Sequence, residues 1–227
     1  MIRRTLKNIF GDRASLVFRA MLRSPEKEWT VRDFIQEGVS FTLANVVLNK
    51  AEEQGFVVRT KKGRKSSSVL VRKDLLLRRW TEGYSFSDNI QKIYQFSEKD
   101  FQDRCGRYLK ERGICYAWTL FSGSRLISPY VMDNGHYLYV DVGTGEYEKL
   151  ITSMRNHLGL MELRHGGNVC IALPYYRSSV FRDAREVKKF PVVSDLQLYL
   201  NIVNFPSGKE EADHLMKYWK KKEVSFV

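Results

Sequence analysis

Thr30-Val-Arg-Asp-Phe-Ile-Gln-Glu-Gly-Val-Ser-Phe-Thr-Leu-Ala-Asn-Val-Val-Leu-Asn-Lys-Ala-Glu-Glu-Gln-Gly55 reads as two helices separated by a turn. The Thr30 hydroxyl can cap the first helix, and Asp33, three residues on, completes an approximate capping box with Asp in place of Glu. Val31, Phe34 and Ile35 supply its apolar face. Gly38 ends it, because the left-handed conformation after a helix costs glycine least. Ser40 is the next N-cap, and the second helix is predicted to run to about Gln54, with Gly55 as its stop. Ala44, Val47, Leu48 and Ala51 follow the i, i+3, i+4, i+7 spacing of a buried face. Phe41, Thr42, Asn45, Asn49 and Lys50 fall on or near the other side.

Working outward, Ala14 to Ser24 carries Leu16, Val17, Ala20 and Met21 at helical spacing, with Pro25 following. Phe56-Val57-Val58 begins a strand and Val69-Leu70-Val71 ends another. Between them lies Arg59-Thr-Lys-Lys-Gly-Arg-Lys-Ser-Ser-Ser68, a basic loop containing glycine, which reads as a hairpin tip. Leu75, Leu76, Leu77 and Trp80 suggest a short closing helix. Three helices followed by a hairpin with a basic tip predict a winged helix-turn-helix over residues 1–80. On that reading the helix after Ser40 enters the major groove. Ser40, Thr42, Asn45, Asn49 and Lys50 face the duplex, Asn pairing with adenine and the Thr methyl touching thymine. Lys61, Lys62, Arg64 and Lys65 lie on phosphates. A winged helix used as a protein-interaction module has the same layout and remains the competing reading of these residues.

The charge follows this division. The 227 residues carry 38 Lys+Arg and 26 Asp+Glu, net +12, and residues 1–95 hold 19 and 10 of them, net +9. Such an excess calls for a polyanionic partner. Duplex DNA is favoured over a membrane surface, since no basic amphipathic helix with an exposed apolar face accompanies it. A hydrophobic share of 43% excludes wholesale disorder. No apolar run is long enough to span a bilayer. The opening Met-Ile-Arg-Arg-Thr-Leu-Lys turns polar too soon for a signal-peptide core, so a cytoplasmic location is expected. Cys105, Cys115 and Cys170 lack paired spacing and read as free thiols. His136, His157, His165 and His214 are scattered singly, so no metal site and no cofactor are expected.

Residues 81–97 are rich in aromatics and are predicted to be a packed connector. From 98 to 227, apolar strand-like runs alternate with amphipathic segments, predicting a mixed α/β domain and an α+β chain as a whole. Helices are expected over Ser97 to Arg112, Ser122 to Ser128, Tyr147 to Leu158, Leu196 to Val203 and Gly208 to Lys222. Strands are expected over Ile114 to Leu120, His136 to Asp141, Leu160 to Arg164 and Asn168 to Leu173. Three chemistries have partial motifs in the chain. Gly123-Ser124 before a strand is shared with nucleotidyltransferases, but the strand offers Asp141 alone where a two-metal site needs two carboxylates. Ser207-Gly208-Lys209 lacks the fuller phosphate-loop pattern. Cys170 sits inside an apolar run, as a core thiol would. No catalytic residue is assigned and no enzyme is expected, with a degenerate nucleotide-binding protein as the alternative.

Several stretches then carry a resemblance. They are Tyr116-Ala-Trp-Thr-Leu-Phe-Ser-Gly-Ser-Arg-Leu126, Leu138-Tyr-Val-Asp141, Gly167-Asn-Val-Cys-Ile-Ala-Leu-Pro-Tyr-Tyr-Arg177 continuing to Glu186, and Gly208-Lys-Glu-Glu-Ala-Asp-His-Leu215. The most specific is Pro191-Val-Val-Ser-Asp-Leu-Gln-Leu-Tyr-Leu200. Together they resemble the AbiEi-family antitoxins of type IV toxin–antitoxin systems. The resemblance implies a transcriptional repressor that binds operator DNA near its own promoter and opposes a nucleotidyltransferase toxin without needing a stable complex with it. A homodimer on an inverted repeat would place half-sites about one helical turn apart, or a multiple of it.

Overall fold

In the computed structural model, which describes residues 8–62 and 65–226 (of residues 61, 62 and 65 the backbone alone), the capping box at Thr30 forms. The Thr30 N–H donates to Asp33 Oδ2 at 2.7 Å, and the Asp33 N–H donates to Thr30 Oγ1 at 3.4 Å. Helix α2 (Val31–Gln36) starts there. Gly38 stops it at φ +84°, with its N–H on Ile35 O and the Val39 N–H on Phe34 O, both at 3.0 Å. These two bonds close the last turn and free the chain to start helix α3 (Phe41–Glu53), where Ser40 Oγ accepts from the Leu43 N–H at 3.3 Å. Ala44, Val47, Leu48 and Ala51 of α3 are fully buried. Ile35, expected on the apolar face of α2, is instead half exposed, because a helix of this length turns only Val31 and Phe34 inward.

Helix α1 (Asp12–Arg23) precedes this pair. Strands β1 (Val57–Lys62) and β2 (Lys65–Leu70) and helix α4 (Lys73–Glu82) follow it. The hairpin is antiparallel, with Val57 opposite Leu70 and Lys62 opposite Lys65. Trp29 adds a single-residue bridge to its outer strand: the backbones of Trp29 and Ser68 exchange two hydrogen bonds at 2.8 Å. An aromatic cluster seals the core. Phe10 stacks on Trp80 at 5.5 Å, and Phe18 meets Phe56 and Trp80 edge-on.

The chain divides into two units, one of Met1–Tyr84 with Trp219–Val227, the other of Ser85–Tyr218. The boundary therefore falls at residue 84 rather than 80, and the C-terminal stretch from Trp219 groups with the front of the chain. Trp219 packs on Phe226 at 5.4 Å, and Lys73 Nζ donates to Ser225 O at 3.5 Å.

The second unit is built on six strands: β3 (Ile90–Tyr94), β4 (Cys115–Trp118), β5 (His136–Asp141), β6 (Val169–Leu173), β7 (Arg185–Val187) and β8 (Phe190–Val192). Their order is β3-β6-β5-β4-β8-β7, with the β6/β5 and β4/β8 pairs parallel and the rest antiparallel. Helices α5 (Phe101–Glu111) and α7 (Thr144–Leu158) supply Phe101, Tyr108, Tyr147 and Met154 to one core, which Leu138 and Ile171 join from the sheet. A buried polar chain involves helices α6 (Leu120–Ile127) and α8 (Asp195–Val203). Tyr139 OH accepts from Asn89 Nδ2 and donates to Asn201 Oδ1, and Asn201 Nδ2 donates to Thr119 Oγ1, the residue before α6. Helix α9 (Gly208–Lys221) closes the chain.

Three expectations differ from the structure. Residues 81–97 are not only a connector, since β3 within them forms a sheet edge against β6. Helix α5 starts at Phe101, not after Ser97: the Asn168 side chain holds the Phe96 N–H and carbonyl in two 2.8 Å bonds, keeping that stretch extended. Leu160 to Arg164 forms only a bridge, Met161 with Gln95. The β7–β8 hairpin went unread because Lys188 and Lys189 take positive φ, where Gly or Asn gives the usual signal. Among the described residues, no helix is long and apolar enough to cross a membrane.

Candidate nucleic-acid interface

The face of α3 opposite its buried stripe carries the residues singled out from the sequence. Phe41, Thr42 and Asn49 are exposed, while Asn45 and Lys50 are half-buried. Ser40 is exposed, but its oxygen is already used in capping. Beside this face, a groove of about 690 Å³ runs between the helices and the hairpin. Thr30 and Arg32 line it from the start of α2, Phe41 and Asn45 from α3, and Ser66 and Ser67 from β2. Phe41 presents a ring that is 59% exposed. Asp33 anchors the wall. Burial would raise its pKa, but the Thr30 N–H and hydroxyl, with Lys27, hold it below the usual carboxylate range.

Arg59 was not foreseen. It lies on β1 two residues beyond buried Val57, hence on the same face of the strand, turned toward α3. That alternation was the available signal. Its guanidinium donates from Nη1 to Asn49 Oδ1 and from Nη2 to Asn45 Oδ1, the latter at 3.3 Å. Asn45 Nδ2 donates to Phe41 O at 3.2 Å. Each end of the Asn45 amide thus already has a partner, which leaves its second N–H and its second lone pair for any base contact. Arg64 lies outside the described residues. Lys61, Lys62 and Lys65 end the two hairpin strands in backbone register, and their side chains too lie outside the description.

The charge is divided more sharply by unit than by halves of the sequence. The residues of the first unit include 21 Lys+Arg and 10 Asp+Glu, net +11, and those of the second 17 and 16, net +1.

No protein-family model, curated protein or solved structure matches the chain. The second unit gives its own reasons for the motifs weighed above. A Cβ on Gly123 would stand 3.0 Å from Leu198 and 3.3 Å from Val192, so this glycine lets α6 approach α8 and β8. Ser124 is buried and its hydroxyl bonds to Phe121 O, whereas Asp141 is exposed at the end of β5. A Cβ on Gly208 would collide with Ile202 O at 1.9 Å, which explains the glycine by packing. The three cysteines are free thiols. Burial pushes the Cys105 thiol far up and that of Cys170 to about 12, so both stay protonated at neutral pH. Among the described residues, no group of three His, Cys, Asp or Glu side chains converges as a metal site would require.

Proposed function

We propose that residues 1–84 form a winged helix-turn-helix that binds double-stranded DNA, and that the protein is a transcriptional regulator of the AbiEi antitoxin type. The observation that carries the DNA reading is the concentration of +11 on the unit that holds an N-capped helix with a polar outer face beside a basic hairpin. The element order supports it: helix, bridging residue, helix, helix, hairpin. In this reading α3 chooses the site and the hairpin tip supplies affinity.

The antitoxin part rests on the resemblance. The stretches that carry it become β4 with α6, β5, β6, and β8 with α8, the framework of the second unit. The reading uses no catalytic group or cofactor, and it pairs the protein functionally with a nucleotidyltransferase toxin. Binding of the full-length protein to DNA upstream of its own coding sequence tests the first part. Rescue of growth when a neighbouring nucleotidyltransferase is expressed tests the second, and failure to rescue removes the antitoxin assignment while leaving DNA binding intact.

A further inference from the structure

We infer that Arg59 is a positioning residue that makes α3 read one base edge as an acceptor, through Asn49. This rests on the DNA-binding reading above. A guanidinium has five donors and no acceptor, so the amide end facing it must be Oδ1 in both asparagines. The Arg59 fork therefore fixes the Asn49 amide: Oδ1 is held inward by Nη1, and Nδ2 is left outward on an exposed side chain. A freely rotating Asn could offer either end to a base. This one has its oxygen engaged and its donor free to face a base.

Asn45 is held at both ends, its oxygen on Arg59 and its nitrogen on Phe41 O. Arg59 is itself held in place by β1 and by the two amides, with its Nε buried and unpartnered. The amide face of α3 is thus pre-set before any ligand arrives. In the major groove, guanine N7 and O6, adenine N7 and thymine O4 accept, while cytosine presents its N4 amino donor. The base facing Asn49 should then be any but cytosine.

The test is selection of bound duplexes from a library with a randomised block, using the full-length protein and sequencing the retained fraction. The wild type is expected to deplete cytosine about tenfold at one position. R59K keeps the charge but loses the fork, and the depletion should fall to within about twofold of none, without loss of overall binding. N49D keeps an acceptor for Arg59 but has no donor, so cytosine should become enriched there. Cytosine depletion that persists in R59K or N49D overturns the inference, since Asn49 would then be read independently of Arg59 or not at all. Should R59K melt early, N49D decides alone, its site being on the surface. A wild type that retains no duplex overturns the DNA reading itself, and a wild type that binds without any cytosine depletion overturns only this inference.

Discussion

His136 shows how far one side chain can set a solution property. It opens β5 with its ring 4.9 Å from Phe101, and its Nδ1 is buried without a partner. Burial, helped by Arg125, pulls its pKa down to about 4 from an ordinary 6.5. The folded state resists a proton that the unfolded chain accepts, so stability is full above pH about 6.5 and declines as pH falls toward about 4. The ring is only partly buried and solvent screens it, so the loss should be about 1–2 kcal/mol. Urea unfolding at stepped pH reads it, and H136Q should flatten the profile between pH about 6.5 and 5, above the carboxylate range. A profile unchanged by H136Q would remove His136 as the cause. Gly123 makes a second residue-scale case. G123A should lose about 1–3 kcal/mol by overpacking against Leu198 and Val192.

At the scale of elements, α2, its turn and α3 depend on local bonds that can be cut singly. T30A removes the capping box and should cost about 1 kcal/mol. G38A meets no atom within 4 Å, so its cost is conformational alone, about 1–2 kcal/mol at φ +84°. Thermal melts of the two variants check both values. These elements were legible because Thr30, Asp33, Gly38, Ser40 and Gly55 act within a few residues of themselves. The strand β3 and the β7–β8 hairpin were not. β3 is made a strand by β6, about eighty residues away in sequence, and the hairpin turns on two lysines that carry no turn signal. Arg59 was missed for the same reason: its partners Asn45 and Asn49 belong to another element, and a strand arginine beside a basic tip reads as one more surface charge.

Over the whole molecule, the charge separates the units: +11 on one, +1 on the other. Part of that +11 comes from Lys220, Lys221 and Lys222, in the C-terminal stretch grouped with the front. Trp219 and Phe226 are buried and anchor that stretch, so W219A should destabilise the protein by about 3–5 kcal/mol, measured by denaturant unfolding. The electrostatic division also gives binding a signature. Neutralising about six phosphates makes log K fall with log salt at a slope of about −5, and changing Lys61, Lys62, Arg64 and Lys65 to Ala should reduce that slope by about 3 to 4. A fluorescent duplex from upstream of the coding sequence, titrated with full-length protein between about 50 and 200 mM salt, measures both. Binding with a slope near −5 that flattens in the four-alanine variant is the predicted result; no binding at about 50 mM salt, or binding indifferent to salt, would contradict DNA recognition by this unit.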